Sequence, residues 1–165
     1  MIFETQRLIV RKLTLADLQA FHNLESNPNV LKYATGEIKS LEENEKELNN
    51  LIAKYFVLNN DFWIYAIERK SDKMFIGTVA LVKDKLEDEI GYRFIEEFWK
   101  LGYASEICEA LILYCKQIGI KKIIGYVIDQ NIASSKILEK YNFKVVNRFI
   151  SDDIQLPETK YELYL

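Results

Sequence analysis

Glu89-Ile-Gly-Tyr-Arg-Phe-Ile-Glu-Glu-Phe-Trp-Lys-Leu-Gly-Tyr-Ala-Ser-Glu-Ile-Cys-Glu109 is the stretch that decides the fold. A strand over 86–94 ends at Phe94, and a loop containing Gly102 follows. From Ala104 the period changes: Ala104, Cys108, Leu111, Cys115 and Ile118 recur at 4-3-4-3 spacing, one face of a helix. Gly119 supplies its stop. A strongly apolar strand, Lys121-Lys-Ile-Ile-Gly-Tyr-Val-Ile-Asp129, comes next. Strand, helix and strand without a hairpin require a right-handed crossover, so 86–94 and 121–129 are expected to be parallel.

The turn between strand and helix has chemical potential. A helix leaves its first N–H groups unpaired, and its dipole adds partial positive charge there. A glycine just before it lets the backbone aim amides at an anion. Such a cradle holds a pyrophosphate with no basic side chain. Many similar turns bind nothing, so this signal alone assigns no function.

Toward the C-terminus, Asn131 opens a short helix to Tyr141, with Ile132, Ile137, Leu138 and Tyr141 as candidate buried positions. Two roles are open to Asn131. It can cap the helix, or hold a ligand amide where two parallel strands part. Asn142 suits a left-handed C-cap. Phe143–Ile150 and Lys160–Leu165 read as a hairpin around a loop at 151–157.

Toward the N-terminus, strands over 62–69, 74–82 and 86–94 are joined by short polar turns, which gives an antiparallel meander. Ser40-Leu-Glu-Glu43 is a capping box, followed at helical spacing by Leu41, Leu48, Leu51, Ile52, Tyr55 and Leu58. Its acidic residues Glu42, Glu43, Glu45 and Glu47 read either as a solvated face or as a dock for a cation. Arg7–Leu13 reads as a strand. Thr14 and Asp17 form a capping-box variant before a stripe of Leu15, Leu18, Phe21 and Leu24; Asn27-Pro28-Asn29 then breaks the helix, and a short one is expected around 30–33. The order β-α-α-β-β-β-α-β-α-β-β predicts one mixed α/β domain over 1–165. Its sheet is mostly antiparallel with one parallel pair, flanked by about four helices.

Composition narrows the function. The 165 residues are 49% hydrophobic and 28% charged, as in globular domains. Net charge is −3 and no basic run exceeds two residues, which argues against life on a nucleic-acid backbone. No apolar run approaches the roughly 20 residues of a membrane span. Residues 1–7 lack a signal-peptide pattern, so a cytoplasmic location is expected. Cys108 and Cys115 fall on one helical face about 10 Å apart, too far for a disulfide. The single histidine, His22, lies in the early helix and supports neither a serine-hydrolase triad nor a metal site. The P-loop and G-x-G-x-x-G patterns are absent.

Three segments together carry a resemblance. They are Glu4-Thr-Gln-Arg-Leu-Ile-Val-Arg-Lys-Leu-Thr-Leu-Ala-Asp17, then Glu89-Ile-Gly-Tyr92 with Trp99-x-x-Gly-Tyr-Ala-Ser-Glu106, then Asn131-x-x-Ser134-x-x-x-Leu138-Glu-Lys-x-x-Phe143. The chain resembles the GNAT N-acetyltransferases, in the branch that includes ribosomal-protein alanine N-acetyltransferases. The resemblance covers nearly the whole chain and implies a GNAT-like fold whose parallel pair splays around acetyl-CoA. It also implies site roles. Phe94 and Ile95 offer backbone groups to the pantetheine arm. Lys100, Leu101, Gly102, Tyr103, Ala104 and Ser105 hold the pyrophosphate. Asn131 bonds the pantetheine or the reacting centre, and Lys136 reaches the nucleotide phosphates.

Transfer in this family is direct, from thioester to amine, so the cysteines are not expected to carry acyl groups. The reaction needs a base for the amine and a proton for the leaving thiolate. Leu138 stands where many members have Tyr, and leucine donates no proton. Ser134 is then the candidate acid, its other role being a helix cap. Glu89 is the candidate base, its other role being a strand-edge charge. Tyr92 and Tyr103 read as packing residues. Lys100 stands where many branch members have Gly, so a positive φ there implies strain. Asn142 also stands where many have Gly.

The expected activity is acetyl-CoA-dependent N-acetylation of a primary amine, foremost a protein N-terminus of the ribosomal-protein type. The alternatives are a small amine (polyamine, amino acid or aminoglycoside), or an acyl-CoA-binding module without turnover. No metal, membrane or direct nucleic-acid partner is expected, and the chain is a monomer or homodimer.

Overall fold

A computed structural model describes residues 1–34 and 37–165. Its centre is one eight-stranded sheet in the order β1-β2-β3-β4-β5-β6-β8-β7. The strands are β1 (Phe3–Glu4), β2 (Leu8–Lys12), β3 (Phe62–Arg69), β4 (Phe75–Asp84), β5 (Glu87–Phe94), β6 (Lys122–Ile128), β7 (Lys144–Ile150) and β8 (Pro157–Tyr164). The helices are α1 (Leu18–Glu25), α2 (Pro28–Leu31), α3 (Leu41–Lys54), α4 (Tyr103–Gln117) and α5 (Ile132–Lys140).

Every adjacent pair is antiparallel except β5 and β6, which are parallel as the crossover rule predicts. That exception builds the site. β5 stays in register with β4 from Glu87 to Phe94. It meets β6 only at Asp88↔Ile123 and Glu89↔Ile124. Beyond that point the two strands part.

Helices cover both faces. Along β5, alternate side chains point to opposite faces. Phe94 stacks on Tyr103 of α4, with ring centroids 6.3 Å apart. Arg93, on the other face, donates to Glu25 of α1 at 2.8 Å. The core runs through both layers, with Leu8, Phe21, Leu24, Leu48, Ile67, Ile76, Ile107 and Ile123 fully buried. Gly77 is required where β4 meets the end of β5, because a Cβ there would lie 2.1 Å from the Arg93 carbonyl oxygen.

Local chemistry explains the helix starts. The Ser40 amide donates to Glu43 at 2.7 Å, and the Glu43 amide donates back to the Ser40 hydroxyl at 3.2 Å. The Thr14–Asp17 box opens a 3₁₀ turn over Leu15–Asp17, and α1 begins only at Leu18. Asp17 is occupied by a two-pronged bond from Arg11, at 2.8 and 2.9 Å.

Several expectations need correction. Leu15, Leu41, Leu58, Ile118 and Ile132 are exposed. Each lies in a helix's first residue or beyond its ends, where the apolar stripe runs past the sheet. α3 stops at Lys54, and Tyr55 caps it while its hydroxyl binds the Ile64 carbonyl. β1 was not anticipated, because two residues carry no readable period. β8 starts at Pro157, three residues before the expected strand; a proline at a strand's first residue forfeits no ladder bond. β8 also lies between β6 and β7, leaving β7 as the sheet edge. Among the described residues, no helix is long and apolar enough to cross a membrane.

Candidate active site

A cleft of about 630 Å³ opens where β5 and β6 part. Its walls are Tyr92–Phe94, the loop from Phe98 into the first turn of α4, and Asn131, Ala133, Ser134 and Ile137; residues from Asn29 to Ala34 form its rim.

The strand wall carries unpaired backbone. The Ile95 amide donates to Ile76 at 2.9 Å, so Arg93 and Gly91 also bond toward β4. Tyr92 and Phe94 therefore turn their backbone groups toward the β6 side, where the partner strand has left. The Phe94 carbonyl accepts the Trp99 indole N–H at 2.8 Å. The groups free to meet a ligand are then those of Tyr92 and the Phe94 amide. Ile95 does not line the cleft.

The loop is held in an unusual shape. Lys100 has φ 62° and Gly102 φ 83°. A left-handed conformation costs an L-residue roughly 1–2 kcal/mol, so Lys100 is strained as its replacement of glycine implies. The pair of left-handed residues delivers the chain into α4, and among the described residues no side chain caps its first turn. Glu106 makes the first intrahelical bond, to Gly102 at 3.1 Å. The amides of Tyr103, Ala104 and Ser105 are thus available, at the positive end of a fifteen-residue helix. Lys100, Gly102, Tyr103, Ala104 and Ser105 all line the cleft; Leu101 does not.

On the opposite wall, Asn131 caps α5, its side-chain oxygen accepting the Ser134 amide at 3.3 Å. Its amide nitrogen donates to no protein group among the described residues. The capping role therefore leaves the ligand role open. Ser134 lines the cleft, whereas Leu138 is buried against Gly125. Lys136 is exposed and outside the lining. One turn further, Lys140 donates to the Ser105 hydroxyl at 2.8 Å, which puts an ammonium beside the first turn of α4.

Three contributors were missed by sequence reasoning: Lys140, Tyr92 and Arg7. Tyr92 lines the cleft, and its buried hydroxyl has no hydrogen-bond partner in good geometry among the described residues. Burial raises its pKa, and the nearby Ser134 hydroxyl offsets only part of that. Nothing in the sequence pattern separates this tyrosine from a packing residue. Arg7 comes from the β1–β2 turn. Its guanidinium lies 4.4 Å from the Tyr103 ring centre and donates to the Leu101 carbonyl at 3.0 Å.

Glu89 sits at the last position of β5 paired with β6, outside the lining, on the α1 face that it shares with Arg93. Burial, Asp84 and Glu158 push its carboxyl up to about 7, against a smaller opposing effect of Lys160. Burial pushes the Cys108 and Cys115 thiols up to about 12, far from a reactive thiolate.

The sequence profile of the acetyltransferase (GNAT) domain matches residues 7–144. The uncharacterized N-acetyltransferase YoaA of Bacillus subtilis (strain 168) is 34% identical over 148 residues, covering 87% of this chain and 82% of that protein. The structure of RimL, a ribosomal L7/L12 alpha-N-protein acetyltransferase in complex with coenzyme A, superposes with a TM-score of 0.84 at 18% identity, over 99% of this chain and 97% of that one. That of the microcin C7 self-immunity acetyltransferase MccE, in complex with acetyl-CoA and AMP, gives 0.82 at 14% identity, over 97% and 93%.

Proposed function

The chain belongs to the acetyltransferase (GNAT) family, and we propose that its cleft carries acetyl transfer from acetyl-CoA to the amino terminus of a protein. The observation that carries the cofactor reading is the opening of the β5–β6 pair directly onto the uncapped start of α4. Unpaired strand groups suit an amide-bearing arm, and unpaired helix amides suit a pyrophosphate. Lys140 adds a positive charge beside the loop. RimL, whose fold this chain shares, supports a protein acceptor.

Acetyl-CoA supplies the acetyl group as an activated thioester. Glu89 takes the proton from the ammonium, directly or through water. A carboxyl pushed up to about 7 is half ionised near neutrality, which suits a base. Ser134 faces the cleft with a hydroxyl able to give a proton to the departing sulfur. Glu89 and Ser134 belong to opposite faces of the sheet. Only a gap between β5 and β6 lets one reacting centre meet both.

A small cationic amine is the second reading. It is favoured by the carboxylates of Asp84 and Glu158 beside Glu89, which would attract positive charge. A panel of Ser- and Ala-initiated peptides, polyamines and aminoglycosides, read by mass after incubation with acetyl-CoA, tests both. Peptide products are expected; products from polyamines or aminoglycosides alone would transfer the assignment to small amines. Ser134→Ala should then lower turnover on the preferred acceptor on the order of 10²-fold while retaining acetyl-CoA binding. Wild-type turnover in that variant would remove Ser134 from the mechanism.

A further inference from the structure

We propose that Arg7 is a positioning residue for the anion-binding loop, locking Leu101 and Tyr103 so that the amides of α4 face the cleft. This rests on the reading of that loop as the pyrophosphate cradle.

The loop needs a lock, because Lys100 is left-handed without being glycine. Such a conformation persists only where surrounding contacts over-determine it. Arg7 supplies three of them. Its Nη1 donates to the Leu101 carbonyl at 3.0 Å, between the two left-handed residues. Its planar group lies over the Tyr103 ring at 4.4 Å, at the first residue of α4. Its Nε donates to Glu106 at 2.7 Å, in the first turn of the same helix. A Cβ on Gly102 would lie 3.4 Å from Nη2, so the guanidinium also closes the back of the turn.

Arg7 is itself held. Glu106 accepts from the Arg7 amide at 3.0 Å and from the Thr5 hydroxyl at 2.5 Å. Partial burial would raise the Glu106 pKa, but Thr5 and Arg7 outweigh it and hold the group below its ordinary value. The carboxylate therefore stays charged through the neutral range. A planar fork that bonds, stacks and pairs at once is a task for arginine and not for lysine. Arg7 does not line the cleft, so it acts through the loop and not by touching the ligand.

The test compares binding of coenzyme A and of pantetheine, which lacks the pyrophosphate, by Arg7→Ala, Glu106→Gln and the unaltered protein. Measurement is made below the melting point of each. Positioning predicts that both substitutions weaken coenzyme A at least tenfold and leave pantetheine within twofold. If Arg7 acted only as a charge, Glu106→Gln would remove a competing anion and tighten coenzyme A binding. That result overturns the proposal, as does unchanged coenzyme A affinity in both variants. Equal weakening of both ligands would also overturn it, by indicating general damage to the fold. Should the unaltered protein fail to bind coenzyme A, the cradle reading itself falls and this proposal with it.

Discussion

A carboxyl group surrounded by other carboxyls and little water keeps its proton longer, and Glu89 is such a group. Its folded pKa of about 7 exceeds the ordinary 4.5. The sign follows from linkage. Below about pH 4.5 the group is neutral folded and unfolded, and contributes nothing. Between 4.5 and 7 the unfolded state ionises first, so stability falls. Above 7 the full penalty applies, on the order of 2 kcal/mol after allowance for partial exposure. Glu89→Gln should therefore raise the melting temperature by several degrees at pH 8 and leave it nearly unchanged at pH 4.5, as calorimetry at both values would show. Turnover of the unaltered enzyme should rise through about pH 7, and the variant should lose that rise. Equal effects on stability at both pH values would contradict the environment described for Glu89. The motif marks Glu89 only as a candidate base. Its environment was not legible, because Glu158 arrives from β8, a strand that neither motif contains.

At the scale of elements, the turn into α4 shows how far sequence reading reaches. Gly102 declared itself, since a glycine before a helical period signals a backbone that must turn. Lys100 was legible only as a departure from a resemblance, and the structure gives it the positive φ that a glycine would adopt freely. Lys100→Gly should exchange strain of roughly 1–2 kcal/mol for a glycine's entropy cost of roughly 0.5–1, a net gain of up to about 1.5 kcal/mol. Lys100→Val, β-branched in the same conformation, should instead destabilise by about 1 kcal/mol or more. Chemical denaturation distinguishes the two, and a loss of stability on introducing glycine would contradict the strained loop. The clamp on this turn could not be read at all. Arg7 and Glu106 are 99 residues apart, and no local period links an N-terminal turn to a helix start. The same holds for Lys140, which reaches Ser105 only because α5 packs beside α4.

For the whole molecule, one topological exception opens the cleft. Among the described residues, six of the seven strand pairings are antiparallel, and only the parallel one between β5 and β6 comes apart after two paired positions. The helix between β5 and β6 forces them parallel, and their divergence after Glu89 exposes strand edges beside a helix start. The parallel pair was legible because no hairpin could join the strands. The position of the divergence was not, since it depends on how α4 and α5 wedge against the sheet. The insertion of β8 between β6 and β7 was equally hidden, because pairing partners are set by tertiary packing and not by the alternation within a strand.

The central claim is that this divergence is an acetyl-CoA site. The most direct test is the melting temperature in the presence of acetyl-CoA, free coenzyme A or ATP. At about 100 times the dissociation constant, a bound ligand adds roughly 2.7 kcal/mol, which for a domain of this size is roughly 5–10 °C. A shift of that order with acetyl-CoA and with coenzyme A, and little with ATP, is the predicted result. No shift with either thiol cofactor at millimolar concentration would contradict it.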